Sequence, residues 1–460
     1  MLVFHYFCVS KRKITLMKRN YTNLLFTSTL ILFTFIGFAQ QTRLASPERH
    51  QIDWDICIYT PTDEAALINN ARREFVKDRM ENRIAPCSTF NVNYGSGFAS
   101  FPQAQAAFQF AVDIWSNLLS SPVDITVTAN FDPAAPGNLG SANSDGFFTL
   151  TGPGIPANTL YPAALTEVLL GEDVDGPGGT SNDINANFNS NRSDWYFGTD
   201  ANPPAGQFDF VTVVLHELGH GLGVLGFGRQ LTSDPNLGAI RFSGDASIWD
   251  NFIDGADIFA NPVSILDTSA PFGFPDPSSQ LLAQFQGGNL TINSTLAVMQ
   301  NGGVPPQTYA PNTFNSGSSY SHLDEDTFNG TPHALMTPFS APGEANHDPG
   351  DVILAFMEDM GWPLCDNTFS TEDFLLNNIQ LSPNPFTDTI TLDLTSNIAS
   401  QEFDISIVDI NGRIVYNQFA NAISGEIKIH NLSNLKNALY FLTIESKTSD
   451  LKITKKIIKQ

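Results

Sequence analysis

The run Phe210-Val211-Thr212-Val213-Val214-Leu215 passes without a break into His216-Glu217-Leu218-Gly219-His220-Gly221-Leu222-Gly223. On a helix, residues four apart lie one above the other, so His216 and His220 share a face. The apolar lead-in marks that helix as buried, beginning near Asp209. Two imidazoles on one face can grip a single Zn²⁺, with Glu217 beside the ion where a bound water would sit. Zinc lowers such a water's pKa towards about 7, and a carboxylate there takes the proton as hydroxide attacks a carbonyl. A chance match on an ordinary buried helix is the plainer reading. The lead-in and the glycine one turn on argue against it.

Acidic residues number 47 against 23 basic ones over 460 residues. The imbalance sits in residues 41–376, which hold 39 acidic and 10 basic side chains. Such a surface repels nucleic acid and anionic membranes, which argues against nucleic acid as a partner. Carboxylates can also bind Ca²⁺. The run Glu172-Asp173-Val174-Asp175-Gly176, with Asp183 beyond it, is the candidate, although its spacing fits no full EF-hand loop.

Residues 1–39 read as an export signal, with the true start at Met17. Lys18-Arg19 precedes an apolar stretch from Leu24 to Phe38, and Gly37-Phe38-Ala39 suits cleavage before Gln40. A membrane anchor is the alternative, but the stretch is short and interrupted by Thr27, Ser28, Thr29 and Thr34. Beyond it lie Cys57, Cys87 and Cys365. A Cys57–Cys87 disulfide across a short loop is the expected pair. A Cys57 or Cys87 thiolate blocking the metal is the other use for one of them.

Residues 40–87 form an N-terminal segment or short propeptide, with helical spacing over Asp63 to Glu81. A larger domain, 88–365, follows. The pattern predicts strands at Phe90–Tyr94, Val123–Ala129, Ala164–Leu170 and Asp183–Asn189, and helices at Gln103–Leu119 and Asp351–Met360. The order strand, helix, strands, zinc helix implies an α+β fold, with a mixed twisted sheet beneath the helix that carries the site. Residues 227–320 read as a loop-rich insertion. After a linker, 366–380, residues 381–460 alternate as short strands and predict a small all-β sandwich.

Zinc needs a third protein ligand. A histidine six residues after His220 would supply it in one metalloprotease group, but Gly226 stands there. His5 and His50 lie outside the expected core and His430 belongs to the C-terminal module, leaving His322, His333 and His347. The segments Ser321-His322-Leu323 and Ala334-Leu335-Met336-Thr337-Pro338 resemble the lower half of a leishmanolysin-like metzincin, a zinc metalloprotease. The resemblance covers roughly Phe90 to Pro363. It implies a metzincin-like catalytic domain, His322 as third ligand, Met336 in a turn beneath the metal, and Gly223 ending the site helix. The long gap from Gly223 to His322 departs from the simple pattern. Pro338 stands where some metzincins carry a tyrosine.

Pro383-Asn384-Pro385-Phe386, Asp409-Ile410-Asn411-Gly412-Arg413, Leu439-Tyr440-Phe441 and Lys455-Lys456-Ile457-Ile458-Lys459 resemble the type A sorting domain of the type IX secretion system. That resemblance implies release at the cell surface or outside it by way of the periplasm, and an outer-membrane exporter as partner. A polymer-binding sandwich is the alternative.

Together these readings predict a secreted, monomeric zinc endopeptidase acting on proteins or peptides, with Glu217 as general base. The rival is an exported zinc-holding module without catalysis, used for adhesion. A zinc hydrolase acting on another amide is a third reading. The sheet edge beside the helix is expected to take substrate backbone as an added strand.

Overall fold

The structure, a computed structural model, describes residues 47–52, 59–62, 69–152, 154–174, 182–269, 273–365, 380–393, 402–409, 413–421, 426–446 and 452–460. The expected signal, Cys57 and residues 366–379 of the linker lie outside them. The chain divides into two compact units, one holding Leu150–Ala157 with the N-terminus to Glu48, the other Arg49–Thr149 and Asn158–Gln460. In the first unit, Gly154 adopts φ 81° and the Ile155 amide donates to Gly152 O at 3.2 Å.

The second unit is a mixed α+β assembly with several sheets. One four-stranded sheet runs in the order Phe90–Tyr94, Ile125–Asp132, Ile184–Asn189, Gly140–Ser144. The first three strands are parallel, and Gly140–Ser144 lies antiparallel at the edge. The helix Pro102–Ser116 opens on a proline, which costs nothing at a first turn whose amides have no partner. Its stripe of Ala104, Ala107, Phe108, Ala111 and Trp115 is buried.

All twelve residues of the helix Phe210–Gly221 are buried. An element with no solvent-facing side draws its stability from packing, at about 1.5–3 kcal/mol for each large apolar side chain. Its N-terminus is closed by Asp209, whose carboxylate accepts from the Thr212 amide at 2.8 Å and the Thr212 hydroxyl at 2.7 Å. The Trp115 indole N–H donates to the Leu215 carbonyl at 3.1 Å and ties the two helices together.

Three sequence expectations need correction. Ala163–Leu170 is a helix, not a strand; Pro162 caps its start and Gly171, at φ 69°, its end. A mostly apolar run of this length is ambiguous between the two states, and those flanking residues decided it. In the stretch from Asp63 to Glu81, residues 63–68 lie outside the described residues; of the rest, Glu74–Glu81 is helix and Asn69–Asn70 a short strand. Cys87 pairs with Cys365, not with Cys57. Cys87 is therefore no thiolate for a metal.

The stretch 227–320 carries more structure than its composition suggested. It holds a hairpin, a three-stranded sheet around Ile253–Ala256, and the helices Ser279–Phe285 and Thr295–Gln300. Ser294 and Asp359, 2.5 Å apart, fasten it to the helix Asp351–Met360.

Residues 380–460 form two antiparallel sheets, of three and four strands. Alternating residues such as Ile390, Leu392, Phe403, Ile405, Ile407 and Leu442 supply their shared core. Among the described residues, no helix is long and apolar enough to cross a membrane.

Candidate metal centre

The helical pitch brings His216 and His220 together, and a loop from far along the chain brings His322 to them. The three Nε2 atoms form a triangle: 3.0 Å between His216 and His220, and 3.2 Å from each to His322. All three imidazoles are fully buried. Each Nδ1 meets a backbone carbonyl, Leu335 at 2.7 Å, Val224 at 2.6 Å and Ser318 at 2.7 Å.

Those partners fix the tautomers. A carbonyl oxygen can only accept, so every Nδ1 carries a proton and donates it. A neutral ring then presents a bare lone pair at Nε2. Burial, then His220 and His322, hold His216 well below the usual imidazole value; burial, then His220, does the same for His322. Burial brings His220 down to about 4. Three lone pairs therefore face one another with no proton to share, an arrangement that a cation would stabilise. Tetrahedral zinc, with Zn–N of about 2.1 Å, sets its nitrogens roughly 3.4 Å apart. The side-chain set and its carbonyl-held orientation thus fit a structural or catalytic zinc. Among the described residues it is the one group of three or more potential ligands.

Glu217 is the odd member of this site. It is fully buried, and neither carboxylate oxygen has a hydrogen-bond partner of good geometry among the described residues. Burial pushes its carboxyl well above the usual carboxylate range, and the Ala142 and Tyr59 amides oppose this only in part. A Cβ placed on Gly140 would come within 3.1 Å of Glu217 Cγ, so Glu217 lies against the start of the edge strand.

Beneath the helix, a Cβ on Gly219 would come within 2.9 Å of Met336 Sδ. Met336 closes the short helix Ala334–Met336 just after His333, and Leu335 in it holds His216. Gly223, at φ 113°, turns the chain away after the site helix, with Pro162 close behind it.

The other two candidate histidines lie elsewhere. His347 Nε2 meets Asp209 at 2.8 Å, at the far end of the site helix. His333 packs against Phe328 and near Gly350. Of the candidate Ca²⁺ run, Asp175 and Gly176 lie outside the described residues, and Asp183 accepts the Thr126 amide at 2.7 Å.

Sequence reasoning missed what sets the His322 loop. Tyr320 adopts φ 80°, unusual for a side chain of its size, and its ring lies against Gly226 and Gly228. Its hydroxyl donates to Asp250 at 2.8 Å. Asp250 is fully buried and also accepts the Ser247 and Phe227 amides at 2.7 and 3.1 Å. Ser321 Oγ in turn accepts the Gly226 amide at 3.0 Å. The glycine that displaced a third ligand from the sequence motif therefore makes room for the loop that provides one. The only sequence signal was the Gly-x-Gly spacing.

Residues 380–460 match the family described as secretion system C-terminal sorting domain. The protein is accordingly one that type IX secretion exports to the cell surface or the extracellular space. Residues 157–231, which include His216, Glu217 and His220, match a family described as SPBPB7E8-like. No curated protein matches. Two solved structures are similar over short stretches. PorZ, a surface component of the type IX secretion system of Porphyromonas gingivalis, is 18% identical over 20% of this chain, with TM-score 0.16; this chain spans 13% of it. A duf3244 family protein with an immunoglobulin-like β-sandwich fold from Bacteroides vulgatus is 24% identical, covering 18% of this chain and 86% of its own, with TM-score 0.16.

Proposed function

We propose that the protein is a secreted zinc endopeptidase with a metzincin-like catalytic domain, in which His216, His220 and His322 hold the metal and Glu217 is the general base. The observation that carries this reading is the buried Glu217 carboxyl, without a well-formed hydrogen bond among the described residues, on the same helix as two of three convergent Nε2 atoms. A site that served structure alone has no use for such a group, which costs about 1–3 kcal/mol when left unsatisfied. When bound, zinc supplies a Lewis acid and lowers the pKa of a water in its open position. Glu217 accepts the proton of the attacking water and returns it to the leaving amine. Burial raises its pKa above the usual carboxylate range, which makes it a stronger base for the first of these transfers. The carbonyls of Leu335, Val224 and Ser318 keep the three rings aimed at one point while the proton moves.

The resemblance to leishmanolysin-like metzincins supports the same reading through Gly223, His322 and Met336. Casein zymography of the zinc-loaded protein against Glu217→Ala tests it. Clearing by the native protein alone is expected. Equal clearing by both, or by neither with zinc fully loaded, refutes it and leaves an exported zinc-holding module.

A further inference from the structure

The chain crosses its own site. Tyr59 is 1% exposed, and its ring lies flat on the His216 imidazole, with centroids 3.7 Å apart and planes within 6°. On one side its amide donates to Gly140 O at 3.1 Å, and the Leu139 amide donates to Tyr59 O at 3.0 Å. This is an antiparallel bridge to the edge strand that packs against Glu217. On the other side Thr60–Pro61 runs parallel to Phe339–Ser340, just beyond Met336, and the Thr62 amide donates to Ser340 O at 2.8 Å. Residues 59–62 are therefore hydrogen-bonded to the edge strand at Gly140 on one side and to Ser340 on the other, with the Tyr59 ring over His216.

The crossing is held at both ends. Before it, Arg49 pairs with Asp145 at 2.6 Å, and Ile52 is buried with Phe147, Leu160, Leu225 and Phe227. After it, Asn69–Asn70 pairs with Ala345–Asn346, and Arg73 reaches Asp348 at 2.6 Å and Asp351 at 3.0 Å. An extended peptide that added to the edge strand at Gly140 would need the hydrogen bonds and the ring position that Tyr59 already holds.

We propose that residues 59–62 are an internal pseudosubstrate, with Tyr59 filling the side-chain subsite beside His216, so that the structure described is the closed form of the protein. The inference rests on the peptidase reading for its purpose, but its geometry is independent of turnover. It also assigns the subsite a preference for a flat aromatic side chain.

The test uses the full chain with a recognition sequence for an added protease inserted between Thr62 and Asn69. The protein is loaded with Co²⁺ and titrated with acetohydroxamate, read by the visible spectrum of the ion, before and after cutting. Lifting a strap that is closed nine-tenths of the time tightens the apparent affinity about tenfold. That gain is expected on cutting, and in the same direction for uncut Tyr59→Gly; Tyr59→Phe keeps the ring and should stay closed. Equal affinities for the cut and uncut chains overturn the proposal, as does failure to take up Co²⁺. Casein hydrolysis measured in parallel separates the two readings. A gain in affinity with no hydrolysis in either form leaves the strap and removes the peptidase. Equal hydrolysis with equal affinity does the reverse.

Discussion

Replacing Glu217 by Gln should make the metal-free protein more stable while removing its activity. The Glu217 carboxyl is wholly buried, and among the described residues neither oxygen has a well-formed hydrogen bond, only the partial support of the Ala142 and Tyr59 amides. An unsatisfied buried group costs about 1–3 kcal/mol, more when charged, and an amide of nearly the same shape carries no charge to desolvate. The amide is equally short of partners, so the gain is only the cost of holding the charged form, about 1–2 kcal/mol, or roughly 2–4 °C in melting temperature for a domain of this size. The pH dependence has a definite sign. Burial raises the folded carboxyl above its usual value. Its contribution to stability is thus complete below the unfolded pKa of about 4.3 and is lost as pH climbs through the raised value. An amide has no such dependence, so the gap between variant and native protein should open as pH rises. Bound zinc supplies the opposite charge that the carboxylate lacks, so the gap should shrink when metal is present. Hydrolysis should fall about 10²–10⁴-fold. Urea denaturation of both proteins, with chelator and with zinc, between about pH 5 and 8 measures all of this. A Glu217→Gln substitution that lowers metal-free stability, or a gap independent of pH, would mean that Glu217 has a partner and the reasoning is wrong.

His322→Ala should lose bound zinc on dialysis against a weak chelator, whereas His333→Ala should retain it, as metal analysis would report. Tyr320→Phe removes one of the donors to buried Asp250; a loss of about 1.5–3 kcal/mol in urea and a roughly 10–100-fold weaker zinc affinity are expected, and unchanged values for both would show that Asp250 does not set the loop. The lowered imidazole pKa values, about 4 for His220, mean that the unfolded chain binds protons which the folded one refuses. Stability of the metal-free protein should therefore be full above about pH 6.5 and fall as pH drops towards that lower value. Acid unfolding of a His216→Gln/His220→Gln/His322→Gln variant should lack that slope.

The sequence was most readable where function and local geometry coincide. Helical pitch alone places His216 beside His220, and the apolar approach from Phe210 states that the helix is buried. From the residues alone His322 was one histidine of three, and the resemblance to leishmanolysin-like metzincins picked it out; what sets its loop is a hydrogen bond between Tyr320 and Asp250, 70 residues apart. No local pattern carries such a contact. Ala163–Leu170 shows the same limit in a milder form, since its apolar run suits either state and its helix depends on the capping residues. The cysteines failed for a different reason. Loop length favoured Cys57 with Cys87, but the bond formed joins residues 278 apart in sequence, and only the folded chain brings Cys365 near. The C-terminal module read well because its strands alternate strictly and pair mostly with neighbours in sequence.

The disulfide between Cys87 and Cys365 also governs how the molecule bears load. It joins the approach to the strand Phe90–Tyr94 to a residue shortly after the helix Asp351–Met360, one step before residue 366, where the expected linker to the sorting module begins. Tension between that module and the chain N-terminal to Cys87 passes from Cys365 straight to Cys87. The chain between them, with the metal centre, is shunted out of the force path. A tail that is pulled or cut away can thus leave the working part of the chain unstrained.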